Sequence, residues 1–329
     1  MTDTPLHLGK SYPRRDALEK VTGQAQYVAD TDVPNLTHGR IVRSPHLHAR
    51  ILRIETAEAL AVPGVIAVLT HADIPGAKIY GDLLPDRPVL AGDKVRFMGE
   101  PVAIVVAKTR QAADEAHQRV QVTYEPLPAV IDPFAAAQPD SPQVHENGNV
   151  LSHFTVCHGD TTAGLAQADL ILEETFHVPR VYPAYLETEA SQAVLNPNGT
   201  LTVWVSSQQP FHDRHHIAAA VNLPEEQVQV CVAAIGGAFG GKEDANMPVL
   251  AGLAAYCTRG AVRLVNSREE SMLAHPKRHS GQLHYRLGAK QDGTITAVEI
   301  TTHLDTGAYA SYGPAVGQLL TEVAAGPYR

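Results

Sequence analysis

The stretch IGGAFGGKED, residues 235–244, constrains the fold more than any other part of the chain. Gly236, Gly237, Gly240 and Gly241 carry no Cβ, so the backbone can bend sharply here and approach another group closely. VQVCVAA before the turn reads as a buried strand. PVLAGLAAYCT after it reads as a helix with small residues on its packing face. Gly236, Gly241 and Lys242 also fit the spacing G-x-x-x-x-G-K of a phosphate loop, which sits between a strand and a helix. Two residues oppose that reading. Glu243 stands where a Ser or Thr would hold magnesium, and it would set a carboxylate against the phosphates. Phe239 puts a bulky ring where a phosphate cradle has no use for one. The residues alone leave open a plain tight turn or a turn built for another ligand.

The rest of the chain reads as two segments. RIVRSPHLHARILRIET alternates in two places, as half-buried strands do. AEALAVPGVIAVLT gives a short helix and then a buried run through Val65–Leu69. Val102–Ala107 is a second buried run, Thr109 a helix cap, and VQVTY a return to period two. Residues 133–150 hold three prolines and one glycine with little apolar content, which marks a linker. Beyond it, DTTAGLAQADLILEETFHVPR gives a helix and a strand. AVLNPNGTLTVWVS is a hairpin in which Asn198 and Gly199 are expected to supply the positive φ angles. DRHHIAAAVNL is a helix ended by Pro224. A second hairpin turns at Asp292-Gly293. No internal repeat is visible.

Bulk properties exclude several classes. The 329 residues carry a net charge of −9, which argues against nucleic acid or an anionic membrane as partner. The longest apolar stretch, near Pro248–Cys257, is too short to span a bilayer, and MTDTPLHLGKSYPRR has no apolar signal core. A cytoplasmic protein is expected. Cys157, Cys231 and Cys257 form no CxxC pair and fall one thiolate short of a four-cysteine iron–sulfur site, so they read as structural thiols. His215-His216 and His46-x-His48 have no acidic or cysteine partner at ligand spacing, so no metal is expected there. Ser206 and Ser207 lack the G-x-S-x-G elbow of a serine hydrolase.

GGAFGGKE resembles the glycine–phenylalanine loop of the molybdenum hydroxylases, the xanthine dehydrogenase and aldehyde oxidase family. VSSQQP at 205–210 resembles the family segment whose glutamine hydrogen-bonds the oxo group on molybdenum. Gln208 precedes Phe239 by 31 residues, the family's own arrangement. VTGQAQYVAD, GVIAVLTHADIPG, VRFMGEPVAIVVA, AYLETEASQAV, SREESMLAHPKRH and DTGAYASYGP are similar to further family segments, in order. The likeness spans nearly the whole chain.

The resemblance implies an α+β fold. An α/β-hammerhead domain (1–135) leads through a linker (136–152) to the first molybdopterin cofactor-binding domain (153–329), cut short at its C-terminus. The implied protein is the molybdopterin-binding subunit, natural or fragmentary, of a xanthine dehydrogenase-like enzyme that hydroxylates a purine or similar N-heterocycle. An aldehyde or another N-heterocycle is the alternative within the family. A scaffold subunit that binds no metal is the alternative outside it.

Gln208, Gly237, Phe239 and Gly240 would face the molybdenum–molybdopterin cofactor, with Gln208 and Phe239 beside the metal. Glu243 would contact substrate: xanthine-oxidising members carry a glutamate at this place, and aldehyde-oxidising relatives often an apolar residue. Glu187 would lie near the same region or serve as a structural carboxylate. Lys242 is assigned no role. No catalytic residue is expected in this chain, because the family's base glutamate belongs to a second cofactor-binding domain. The implied partners are that C-terminal molybdopterin half, an iron–sulfur subunit and an FAD subunit, which would take up the electrons, together with a small-molecule substrate.

Overall fold

The apolar run PVAIVVA forms the strand Pro101–Ala107, every residue of it buried. A strand apolar on both faces needs cover on both. The helix Arg110–His117 packs against it, and so does the helix Asn246–Thr258. The structure, a computed structural model, describes residues 9–244, 246–324 and 326.

Pro101–Ala107 belongs to a seven-stranded sheet. Its order is Val228–Val232, Leu201–Val205, Ala190–Leu195, Ala261–Val265, Leu36–Arg43, Pro101–Ala107, Val65–Thr70. The sheet therefore draws on both sequence segments. Leu36–Arg43 joins them, antiparallel to Pro101–Ala107 and parallel to Ala261–Val265. Two smaller three-stranded sheets flank it. One contains Ala49–Glu55 and Gln121–Pro126. The other contains Leu170–Val178 and the hairpin Ser280–Ala289/Ile295–Asp305.

Asn246–Thr258 is buried from Met247 to Ala255, on all its faces. Its small side chains allow this depth. A Cβ on Gly252 would lie 2.8 Å from a methyl of Ile217 in the helix Pro210–Val221. One apolar core runs beneath the sheet and takes in Ile41, Ile104 and Val106 together with Ile217, Leu250 and Leu264. Thr109 caps its helix as expected, its hydroxyl accepting from the Ala112 N–H. Among the described residues no helix is long and apolar enough to cross a membrane.

Three sequence readings are corrected. VQVCVAA is not a buried strand: Val228–Val232 is the edge of the sheet, with Val232 45% exposed. At Asn198-Gly199 only Gly199 has positive φ. Asn196 donates to the Thr200 carbonyl and Gly199 donates back to Asn196, a three-residue loop with glycine in its left-handed place. The 133–150 stretch begins with a helical turn, Pro133–Ala136, and lies tied down: Val144 O accepts from Arg96, and His145 bonds the Ala308 carbonyl.

Candidate functional site

The edge strand Val228–Val232 delivers the chain to the glycine turn, and Asn246–Thr258 leads it away. Gly237 (φ +97°), Phe239 (φ +53°) and Gly240 (φ +82°) are all left-handed. For phenylalanine that conformation costs roughly 1–2 kcal/mol. Its ring is 78% exposed in this chain and recovers little of the cost by burial.

Behind the turn, glycine is required by space. A Cβ on Gly236 would stand 2.5 Å from the Glu187 Cβ, and one on Gly241 would stand 2.4 Å from the His275 ring. The Glu187 carboxylate ties these parts together. Its Oε2 accepts from the Gly236 N–H (2.8 Å), the Lys242 ammonium (2.7 Å) and the Ser206 hydroxyl (2.9 Å). The Lys242 side chain is 1% exposed, and its ammonium also lies over the Tyr185 ring. Burial lowers the Lys242 pKa, and Glu187 opposes the shift. Lys242, left without a role by the sequence, is thus the cation of a buried ion pair that fixes the turn. Glu187 lies in the region expected of it, against Gly236, and its bonds there hold the turn. Lys242 is committed inward, and the following helix begins only at Asn246, so the arrangement is not that of a phosphate loop.

Gln208 meets the turn from the other side. Its N–H donates to the Lys242 carbonyl (2.9 Å), and its Oε1 accepts from the Lys242 N–H (3.3 Å). With the amide oxygen engaged, the NH2 of this exposed side chain is the group on offer, and it is a donor. Gln208 is thereby tied to the C-terminal end of the turn that carries Gly237, Phe239 and Gly240. Glu243 is half-buried, with its Oε1 3.9 Å from the Cβ position of Gly240. It adds negative charge near Tyr312, whose phenol pKa is raised first by burial and then by Asp82, Asp244 and Glu243.

The histidine pairs are accounted for elsewhere. His216 Nε2 bonds Asp82 (2.8 Å), His215 bonds Glu225 (2.8 Å), His48 bonds the Pro128 carbonyl, and His46 stacks edge-on to Tyr124. The three cysteines are free thiols. No local pattern in the sequence marks Tyr185, Glu189, Asp213 and His275, which the fold gathers behind the turn. The Tyr185 hydroxyl donates to Glu189 and accepts from His275 Nδ1. Burial depresses the His275 pKa to about 4, so its imidazole is neutral.

The site presents an exposed carboxamide donor, an exposed ring and left-handed backbone on a rigidly tied turn. That suits a planar, acceptor-rich group laid against the turn.

Comparison with known proteins shows the family to which the chain belongs. Residues 144–329 match the family described as molybdopterin cofactor-binding domain. Residues 22–128 match aldehyde oxidase and xanthine dehydrogenase, a/b hammerhead domain. The chain is 37% identical over 316 residues to a probable xanthine dehydrogenase subunit of Bacillus subtilis (strain 168), covering 96% of this chain and 42% of that protein. It is 38% identical over 321 residues to the nicotinate dehydrogenase large molybdopterin subunit of Eubacterium barkeri, covering 98% and 76%. The aldehyde oxidoreductase structure from Desulfovibrio gigas superposes with a TM-score of 0.87 at 30% identity, covering 94% of this chain and 36% of that one. The chain thus spans less than half the length of two of these three relatives. It belongs to the molybdenum hydroxylase family of aldehyde oxidases and xanthine dehydrogenases, and carries that family's hammerhead and molybdopterin-binding segments.

Proposed function

We propose that this chain supplies one wall of the molybdopterin site of a xanthine dehydrogenase-like hydroxylase acting on a purine or similar N-heterocycle. The carrying observation is the pair of hydrogen bonds between Gln208 and Lys242, which sets a carboxamide donor against the turn that bears Phe239. The residues fit such a group. The front of Gly240 is open, with no heavy atom nearer than 3.9 Å to a Cβ placed there, while the back of the turn is closed by Glu187 and His275. Gly237, Phe239 and Gly240 would hold the cofactor, and Gln208 would donate its N–H to an oxygen of the metal centre. The bound molybdenum group would supply the two-electron oxidation and oxygen transfer.

The chain's own part is positioning. Lys242 and Glu187 keep the turn from moving, and Glu243 would accept hydrogen bonds from the N–H groups of the heterocycle. The base would come from a C-terminal molybdopterin half, and the electrons would leave to iron–sulfur and FAD subunits. The relatives' names, as subunits of larger enzymes, support that reading.

Glu243 is the test of substrate class. In the assembled enzyme, Glu243→Val is expected to lower kcat/KM for xanthine by roughly 10- to 100-fold, the range for losing one hydrogen bond to a charged group. Activity on a simple aromatic aldehyde should change little. An undiminished rate on xanthine would discard the purine reading. The similarity to a nicotinate dehydrogenase subunit and an aldehyde oxidoreductase favours the second reading, another N-heterocycle or an aldehyde, and profiling those substrates on the same preparation decides between them. A purified complex without molybdenum would instead favour the scaffold reading.

A further inference from the structure

Behind the glycine turn lies a cavity of about 30 Å3, lined among others by Ser207, Asp213, Gly241, Lys242 and His275. Asp213 comes from the first turn of the helix Pro210–Val221, and the residue is 1% exposed. Neither carboxyl oxygen has a well-formed hydrogen bond within the protein. His275 is 5% exposed, and its Nε2 also lacks a partner. Its Nδ1–H is spent on Tyr185, so Nε2 is a bare acceptor. A buried carboxyl with only the imperfectly placed Ser207 hydroxyl beside it, and a buried ring nitrogen with no partner, would together cost several kcal/mol if the space were dry. Polar side chains face the space among apolar ones, and about 10–15 Å3 suffices for one water, so two fit. Nothing as large as a pterin fits.

We propose that this cavity is a hydration site in which ordered water links the Asp213 carboxyl to His275 Nε2, and that Asp213 is thereby a positioning residue for the Gln208 arm and the glycine turn. The link to the arm is short. Ser207 Oγ accepts from the Gln209 N–H at 3.0 Å, and the Ser207 hydroxyl lines the same cavity. Gln208 lies between those two residues, and Gly241 and Lys242 line the same cavity. Burial raises the Asp213 pKa to about 7, and the nearby Ser207 hydroxyl opposes the shift only in part. The carboxyl therefore keeps an O–H donor through most of the acid range. The chemistry then closes: water donates to Nε2, and donor and acceptor positions on Asp213 complete its remaining bonds. This inference concerns the chain's own packing and does not depend on which substrate the enzyme takes.

The test compares wild type, Asp213→Asn and Asp213→Leu, each in the full complex. High-resolution crystallography should show water bridging residue 213 and His275 Nε2 in wild type and in the Asn variant, and none in the Leu variant. Hydrogen exchange of the peptide covering 235–243 should rise about tenfold in Asp213→Leu and stay within about twofold of wild type in Asp213→Asn, the conservative rescue. A dry cavity in well-ordered wild-type crystals, or a direct Asp213–His275 contact, overturns the hydration site. Equal exchange in all three proteins overturns the positioning role. If the Leu variant does not fold, the wild-type and Asn structures still decide the first point, and an Asn variant that exchanges like an unfolded peptide rejects the second.

Discussion

At the scale of single residues, the site depends on one buried charge pair. Lys242 is almost fully buried, and Glu187 is nearly so, with 14% of its side chain exposed. Removing one partner of such a pair strands the other charge, which costs about 3–5 kcal/mol, whereas removing both costs much less. Lys242→Met is therefore expected to destabilise the protein by that amount, and Lys242→Met with Glu187→Gln by clearly less. Urea unfolding of the two single variants and the double variant measures the coupling directly. Additive losses would mean that the pair does not fix the turn. The pairing has no signature in the sequence. Lys242 beside Glu243 and Asp244 reads as one more charge on a solvated loop, and Glu187 lies 55 positions away. The expectation for Gln208 and Phe239 rests on spacing and neighbours that resemble a family pattern; the structure adds the hydrogen bonds of Gln208 to Lys242, three residues beyond Phe239.

At the scale of elements, local chemistry was legible and sheet position was not. Thr109 and both hairpins followed from side chains within a few residues of one another. The edge placement of Val228–Val232 depends on what fails to pair with its free side, and no local pattern records that. The strand Ala261–Val265, central in the sheet, went unread because five residues ending at the exposed Val265 carry too little periodicity. Glycines show the same division. Gly199 is needed for its φ of +86°, with no atom within 4 Å of an added Cβ. Gly241 has no positive φ and is needed because His275 stands behind it, its ring held by Tyr185. Gly199→Ala should cost about 1–2 kcal/mol and leave the site untouched. Gly241→Ala should cost a similar amount, about 1–3 kcal/mol, through overpacking, but should also displace the turn and lower molybdenum content per complex at least several-fold. Thermal melts paired with metal analysis separate the two, and full molybdenum in Gly241→Ala would refute the steric role of that glycine.

At the scale of the molecule, the two segments that the sequence and the family descriptions distinguish are not joined as beads on a string. Leu36–Arg43 from the first lies between Pro101–Ala107 and Ala261–Val265, so its hydrogen bonds are divided between the halves. The core is divided in the same way. Ile41, Leu69 and Ile104 pack in one cluster with Leu250, Leu253 and Leu264. Cutting the chain in the 128–144 stretch and expressing the pieces apart would expose the edge of Ala261–Val265 and one wall of the buried helix Asn246–Thr258. Exposed apolar surface costs about 25 cal/mol per Å2, and a helix apolar all round cannot turn a polar face outward. Neither piece alone is expected to unfold cooperatively, and the C-terminal piece should aggregate. Co-expressed, the two should purify together and melt in one transition, because the strand pairing needs no covalent link between them. Circular dichroism on the separate and joined pieces checks this. A C-terminal piece with its own sharp melt would show that the glycine turn and its supports fold without the first segment, and would place the stability of the site within residues 144–329 alone.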